Sequence, residues 1–97
     1  SEVIRFYICD RSGDQVTASF NFDTQSGRWS KDPAALGLNW SWRPYFYQLA
    51  VLGSQHSDRL VASARYRDLS NGKPCKTLAT VIDEERVLLV DIVAQWN

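Results

Sequence analysis

The chain has 97 residues, 44% of them hydrophobic, 12% aromatic and 23% charged. That balance suits one globular domain and excludes both a multi-domain enzyme and a disordered tail. Eleven basic residues meet eleven acidic ones, so no long-range positive field exists to hold a phosphate backbone, and nucleic acid is excluded as a partner. The longest apolar run is a few residues, far below the ~20 that cross a bilayer, and Ser1-Glu2-Val3 does not read as a signal peptide. A soluble chain with no membrane insertion is expected. Met is absent altogether, which fits a piece of a longer protein.

The first half predicts a hairpin, a loop and a helix. Val3 to Asp10 alternates, with Ile4, Phe6 and Ile8 on one face and Arg5, Tyr7 and Cys9 on the other, and runs into the turn composition Arg11-Ser12-Gly13-Asp14. Val16, Ala18, Phe20 and Phe22 share a face of the following run, which predicts an antiparallel partner strand. From Asp23 to Ser41 no period is visible, and Gly27, Asp32, Pro33, Gly37 and Asn39 mark a loop. With Trp29, Trp40 and Trp42 in or beside it, that loop is expected to be packed down. Pro44 suits a first helical turn, where its missing N–H costs nothing, and Phe46, Leu49, Ala50 and Gly53 follow at helical spacing. The pattern predicts one helix from about Arg43 to Leu52.

The second half reads as strand. Leu60, Ala62, Ala64, Tyr66 and Asp68 alternate onto one face, and Ser70-Asn71-Gly72-Lys73-Pro74 supplies a turn. Cys75 to Ile82 and Arg86 to Val93 are β-branched and Leu-rich, joined by the charged tip Asp83-Glu84-Glu85. The expected order is β-β-α-β-β-β. It makes a single α+β domain over residues 1–97, an antiparallel five-stranded sheet with helix and loop packed on one face.

Little of this pattern points to catalysis. Cys9 and Cys75 lack a CxxC spacing and a neighbouring His, so they read as isolated core thiols, with a disulfide between them left open. His56, the lone histidine, belongs to no recognisable triad and reads as a loop residue. Asp83 and Glu84 lie at a solvated tip, which gives neither burial nor a raised pKa. No phosphate-cradling glycine motif occurs. The reading is a non-enzymatic domain with no catalytic residue, metal site or cofactor.

The densest signal is Asn39-Trp40-Ser41-Trp42-Arg43-Pro44-Tyr45-Phe46-Tyr47, five aromatics among nine residues around one Arg at a helix start. Such an Arg suits a carboxylate or phosphate, and aromatic walls exclude water from it. The competing account has the aromatics seal the core while Arg43 stacks on a Trp or pairs with a carboxylate, and spacing alone favours it. Tyr66 and Asp68 share a strand with small residues that leave space. Asp68 there needs a partner, either a ligand ammonium or Arg43, unless it turns to solvent at the strand end or interacts with the following turn. Asp91, inside an apolar strand, raises the same question and could serve as a structural acceptor.

These residues carry a family resemblance. NWSWRPYF (Asn39 to Phe46), Tyr66-x-Asp68, Gly72-Lys73-Pro74-Cys75-Lys76-Thr77-Leu78 and Leu88-Leu89-Val90-Asp91-Ile92 resemble PAS-like, Cache-type sensory domains of bacterial signalling proteins. In particular they are similar to YkuI-type C-terminal domains, which follow an EAL cyclic-di-GMP phosphodiesterase domain. Phe6-Tyr7-Ile8-Cys9-Asp10, Gly13 and Gly27-Arg28-Trp29 match the same type, so nearly the whole chain is covered. The resemblance implies a pocket lined by Trp40, Arg43, Tyr45, Tyr66 and Asp68 for a small molecule, anionic or amino-acid-like. It further implies a regulatory sensor cut from an EAL-containing protein, biasing the attached EAL domain through ligand binding or dimer geometry. A homodimer is the expected assembly. The alternatives are an interaction module without a ligand and an extracytoplasmic Cache domain of a receptor. The EAL-linked type and the two unpaired-looking Cys place the chain in the cytoplasm, with the periplasm as the alternative.

Overall fold

A computed structural model describes residues 3–53, 60–68 and 71–94, with the backbone alone over 49–53. The elements run β1 (Val3–Asp10), β2 (Ser19–Asp23), β3 (Arg28–Asp32), α1 (Pro44–Gly53), β4 (Leu60–Ala62), β5 (Tyr66–Arg67), β6 (Pro74–Val81) and β7 (Arg86–Val93). The strands form one sheet in the order β3-β2-β1-β7-β6-β4, with β5 also paired to β6. Every pairing is antiparallel. The two longest ladders, β1 with β7 and β7 with β6, place Tyr7 opposite Leu89 and Leu89 opposite Ala79.

Because side chains alternate across a strand, these ladders give the sheet two distinct faces. Tyr7, Cys9, Val87, Leu89, Ala79, Val81 and Val61 form the buried core on one face, closed by Tyr45 and Phe46 of α1, with Trp40 packed against it. Thr77 and Asp91 are buried on the same face. The opposite face carries Phe6, Ile8, Leu78, Leu88 and Val90, all only half-buried. Phe6 stacks on Phe20 there at 5.0 Å between ring centroids, and Trp29 sits at 5.3 Å from Phe6 and 5.2 Å from Phe22.

The α+β class and the one-sided helix and loop agree with expectation; the strand count does not. The sheet has seven strands rather than five. One extra strand is β3, inside the stretch read as loop. It is exposed at all five residues, so it has no inward face and leaves no alternation to detect. The other arises because the strand expected through residues 60–68 is broken at Ser63-Ala64-Arg65 into β4 and β5. Leu60 pairs with Thr80 but Tyr66 pairs with Cys75. The register therefore slips by one residue across the break, which exchanges the faces. Leu60 and Ala62 consequently do not share a face with Tyr66: Leu60 is 60% exposed, and Val61 fills the core instead. Trp42, expected to be packed down, is 65% exposed, and Trp29 lies on β3 at 48%.

The remaining expectations are placed as follows. α1 starts at Pro44, β7 covers the expected span, and Asp83 to Glu85 form an exposed tip where Asp83 pairs with Arg86 at 2.6 Å. Cys9 and Cys75 are buried and free. They lie opposite Val87 and Val93 of the same strand, a separation of ~20 Å at the usual rise per residue, and no disulfide spans that. His56 and Ser70 lie outside the described residues.

Candidate functional site

The Trp-rich loop is fastened to the β1 turn before it reaches α1. Gly13 has φ +96, and a Cβ there would come within 2.8 Å of the Ser41 backbone nitrogen, so only glycine admits this close approach. The backbone N–H of Trp40 donates to Gly13 O at 2.9 Å, and that of Gln15 donates to Leu38 O at 2.8 Å. Gln15 is buried. Its Oε1 accepts the indole N–H of Trp40 at 2.9 Å, while its Nε2 donates to Thr17 O and Ser19 Oγ. Trp40 is thereby held at the sheet, three residues before Arg43, whose N–H donates back to Trp40 O at 3.0 Å. The helix that follows turns Tyr45 and Phe46 into the core.

Across from this loop the inner sheet face carries a charge cluster centred on Arg5. Its Nε donates to Asn21 Oδ1 at 2.8 Å, Nη1 to Asp91 Oδ2 at 2.7 Å and Nη2 to Asp68 Oδ2 at 3.0 Å. Thr77 Oγ1 donates to Asp91 Oδ1 at 2.8 Å and also lies 2.6 Å from Tyr66 Oη. Asp68 and Asp91 are 5% and 3% exposed, so two buried carboxylates share one guanidinium. Burial raises the Asp91 carboxyl above its ordinary range, the nearby Asp68 charge adds to this, and Thr77 and Arg5 only partly oppose it. Burial also works against the Arg5 charge, but the bonds and charges of Asp68 and Asp91 outweigh it.

Between the charge cluster and the loop lies a cleft of about 1000 Å³. Trp40, Arg43, Tyr45, Tyr66 and Asp68, the five residues singled out from the sequence, all line it, together with Arg5, Gln15, Asn21, Lys73 and Asp91. The Arg43 guanidinium lies 4.4 Å from the Trp42 ring centroid, 5.3 Å from that of Tyr66 and 5.8 Å from that of Trp40. Its Nε is buried and has no hydrogen-bond partner, and among the described residues Arg43 makes no ion pair. Burial keeps the phenols of Tyr7, Tyr45 and Tyr66 neutral, so they offer hydroxyls rather than charges. Among the described residues no group of three or more His, Cys, Asp or Glu could hold a metal ion.

Two sequence readings are thereby refined. Asp68 is satisfied by Arg5 rather than by Arg43, and Asp91 is the structural acceptor considered for it. Arg5 itself was not singled out, although a charged residue in an otherwise alternating strand is the available signal.

The candidate site is thus an open cleft of polar and aromatic side chains on one face of an antiparallel sheet. The family profile described as "EAL-domain associated signalling protein domain" matches residues 1–97. The chain belongs to that family, and is a signalling rather than a catalytic domain. It is 34% identical over 88 residues to the uncharacterized EAL-domain containing protein YkuI of Bacillus subtilis (strain 168), a match that covers 91% of this chain and 21% of that protein. A crystal structure of the Bacillus subtilis YkuI protein, with an EAL domain, in complex with substrate c-di-GMP and calcium, matches 97% of this chain and 23% of its own with a TM-score of 0.82 at 28% identity. The chain thus spans about a fifth of these relatives. Among the described residues no helix is long and apolar enough to cross a membrane.

Proposed function

We propose that the domain senses a small ligand carrying an anionic group, amino-acid-like in its polarity, and that occupancy of the cleft biases an attached EAL domain acting on cyclic-di-GMP. The observation that carries this reading is Arg43. A guanidinium half-buried among three aromatic rings, stacked on Trp42 and with one buried N–H lacking an acceptor, keeps a donor that an anion would satisfy. On the facing wall the carboxylates of Asp68 and Asp91 gather around Arg5, and carboxylate oxygens accept hydrogen bonds from an ammonium or hydroxyl. A ligand of both characters satisfies both walls.

The route outward runs through Arg5. It joins β1, β7 and the turn after β5 through Asp91 and Asp68, so a ligand that competes for Asp68 loosens the turn from the two central strands. Two buried free thiols agree with the cytoplasm as the compartment.

The test is a thermal-shift screen against amino acids, carboxylates, nucleotides and cyclic-di-GMP, since a ligand that binds only the native state raises the melting temperature. A shift that disappears in Arg43→Ala and is partly kept in Arg43→Lys is expected. A cooperative melt that no compound shifts, or a shift indifferent to Arg43→Ala, overturns the assignment.

A further inference from the structure

Among the described residues β3 is an edge of the sheet, paired with β2 alone. An edge strand leaves alternate backbone N–H and C=O groups without ladder partners, and proteins ordinarily blunt such an edge with charge or a proline. Pro33, which has no N–H to donate, follows Asp32 and ends the strand. The charges on β3 do not simply repel, because they are set in opposite sign about its centre. Arg28 stands at one end and Asp32 at the other, on either side of Ser30, with Trp29 and Lys31 between. All five residues are exposed, and among the described residues neither Arg28 nor Lys31 makes an ion pair.

Such a strand is complementary to a second copy of itself. Opposed residues of an antiparallel pair lie on one face of the sheet. The ladder with β2 sets Arg28, Ser30 and Asp32 on the face of Arg5 and Asn21, and Trp29 and Lys31 on the face of Phe20 and Phe22. A two-fold axis through Ser30, perpendicular to the sheet, keeps like faces together. It opposes Arg28 to the partner's Asp32 and Trp29 to the partner's Lys31. Directly opposed Cβ atoms are about 4.5–5.5 Å apart, within reach of a salt bridge and of an ammonium over an indole face. Trp29 packs against Phe6 and Phe22 yet stays 48% exposed, which leaves surface for the lysine. Sliding the partner by two residues opposes Lys31 to Lys31 in one direction and Trp29 to Trp29 in the other, and either slide parts Arg28 from Asp32. Asp23, opposite Arg28 on β2, already accepts from Gln25 N–H and Ser26 Oγ. The two Lys31 side chains lie on a diagonal, about 7–8 Å apart at the strand, and their long stems splay.

We propose that β3 pairs antiparallel with β3 of a second copy about Ser30, so that two seven-stranded sheets become one continuous sheet with both clefts on the same side. Asp32 lines the cleft, so the partner's Arg28 stands at its rim and the second copy adds a cation to the site. Five residues a side are few beside the roughly 20–30 of a stable interface. The contact therefore forms where the rest of the protein holds two chains close, since tethering raises the effective concentration of the strands. The pairing needs no ligand and stands apart from the cleft reading.

The test is disulfide trapping in the full-length protein with Ser30→Cys, because residues opposed across the axis have Cα atoms about 4.5–5.5 Å apart, within disulfide range. A reducible dimer under mild copper phenanthroline oxidation is expected. Lys31→Cys, whose two copies lie on the diagonal and out of that range, should trap far less. In the Ser30→Cys background, Arg28→Asp should lower the yield roughly tenfold by opposing carboxylates. Adding Asp32→Arg, which restores opposite charges across the axis, should bring it back. Melting curves of each variant confirm that they fold. No dimer, equal trapping at positions 30 and 31, a yield indifferent to Arg28→Asp, or a charge swap that recovers nothing overturns the proposal. Arg43→Ala should leave the trapping unchanged, so failure of the cleft reading and failure of this one are told apart.

Discussion

The two faces of one sheet, drawn from the same three central strands, do opposite things with their polar and apolar residues. On the inner face Tyr7, Cys9 and Leu89 are sealed, yet the same face joins the half-buried Arg5 to the buried Asp68, Asp91 and Thr77 in a hydrogen-bonded cluster. The outer face is apolar and aromatic but only half-buried. Buried polar groups persist only when partnered, and here Arg5 and Thr77 supply the partners.

The largest effect that would break this comparison comes from Arg5→Ala. It leaves Asp68 and Asp91 buried without their shared partner, and a loss of about 3 to 5 kcal/mol in urea denaturation is expected. A loss below about 1 kcal/mol would show the cluster to be solvated rather than buried. Next in size is the contrast between adjacent residues of β7. Leu89→Ala, in the core, is expected to cost about 2 to 5 kcal/mol, and Val90→Ala, on the outer face, about 1 kcal/mol or less in the isolated domain. Equal losses would mean that the outer face is already covered.

The smallest effect sharpens the comparison through pH. The Asp91 carboxyl titrates higher in the folded state than unfolded, so the native protein holds more protons than the unfolded chain once pH passes about 4. Its contribution therefore falls as pH rises through that window, and Asp91→Asn should remove this slope from stability measured between pH 4 and 7. Asp10, at the exposed β1 turn, has the opposite sign. Its carboxyl is lowered by hydrogen bonds from Ser12 and from the backbone of Asp14, so its contribution is present above about pH 4 and is lost on acidification. Asp10→Asn should weaken only that acid limb.

The five residues of the candidate site were brought together by the family resemblance, whereas spacing alone favoured core aromatics. Trp40, Arg43 and Tyr45 span the start of a helix that Pro44 announces, and Tyr66 opens the two-residue β5 with Asp68 just beyond it. All five face one cleft. The misread parts have local physical causes. β3 is an edge strand whose five exposed residues show no alternation, and the strand after α1 changes face because Ser63 to Arg65 interrupt its register.

Local pattern alone determined the alternating strand β1, the β-branched and Leu-rich strands β6 and β7, the helix start at Pro44 and the charged tip at Asp83, because each depends on residues within a turn or a strand of one another. Tertiary structure decided which strand face became the core and which charges met. Arg5 lies 63 residues from Asp68 and 86 from Asp91, and only the pairing of β1 with β7 and the return of the β5 turn bring them together. A hydrogen bond acts over about 3 Å, so no reading along the chain could place a single guanidinium between two carboxylates that the sheet alone makes neighbours.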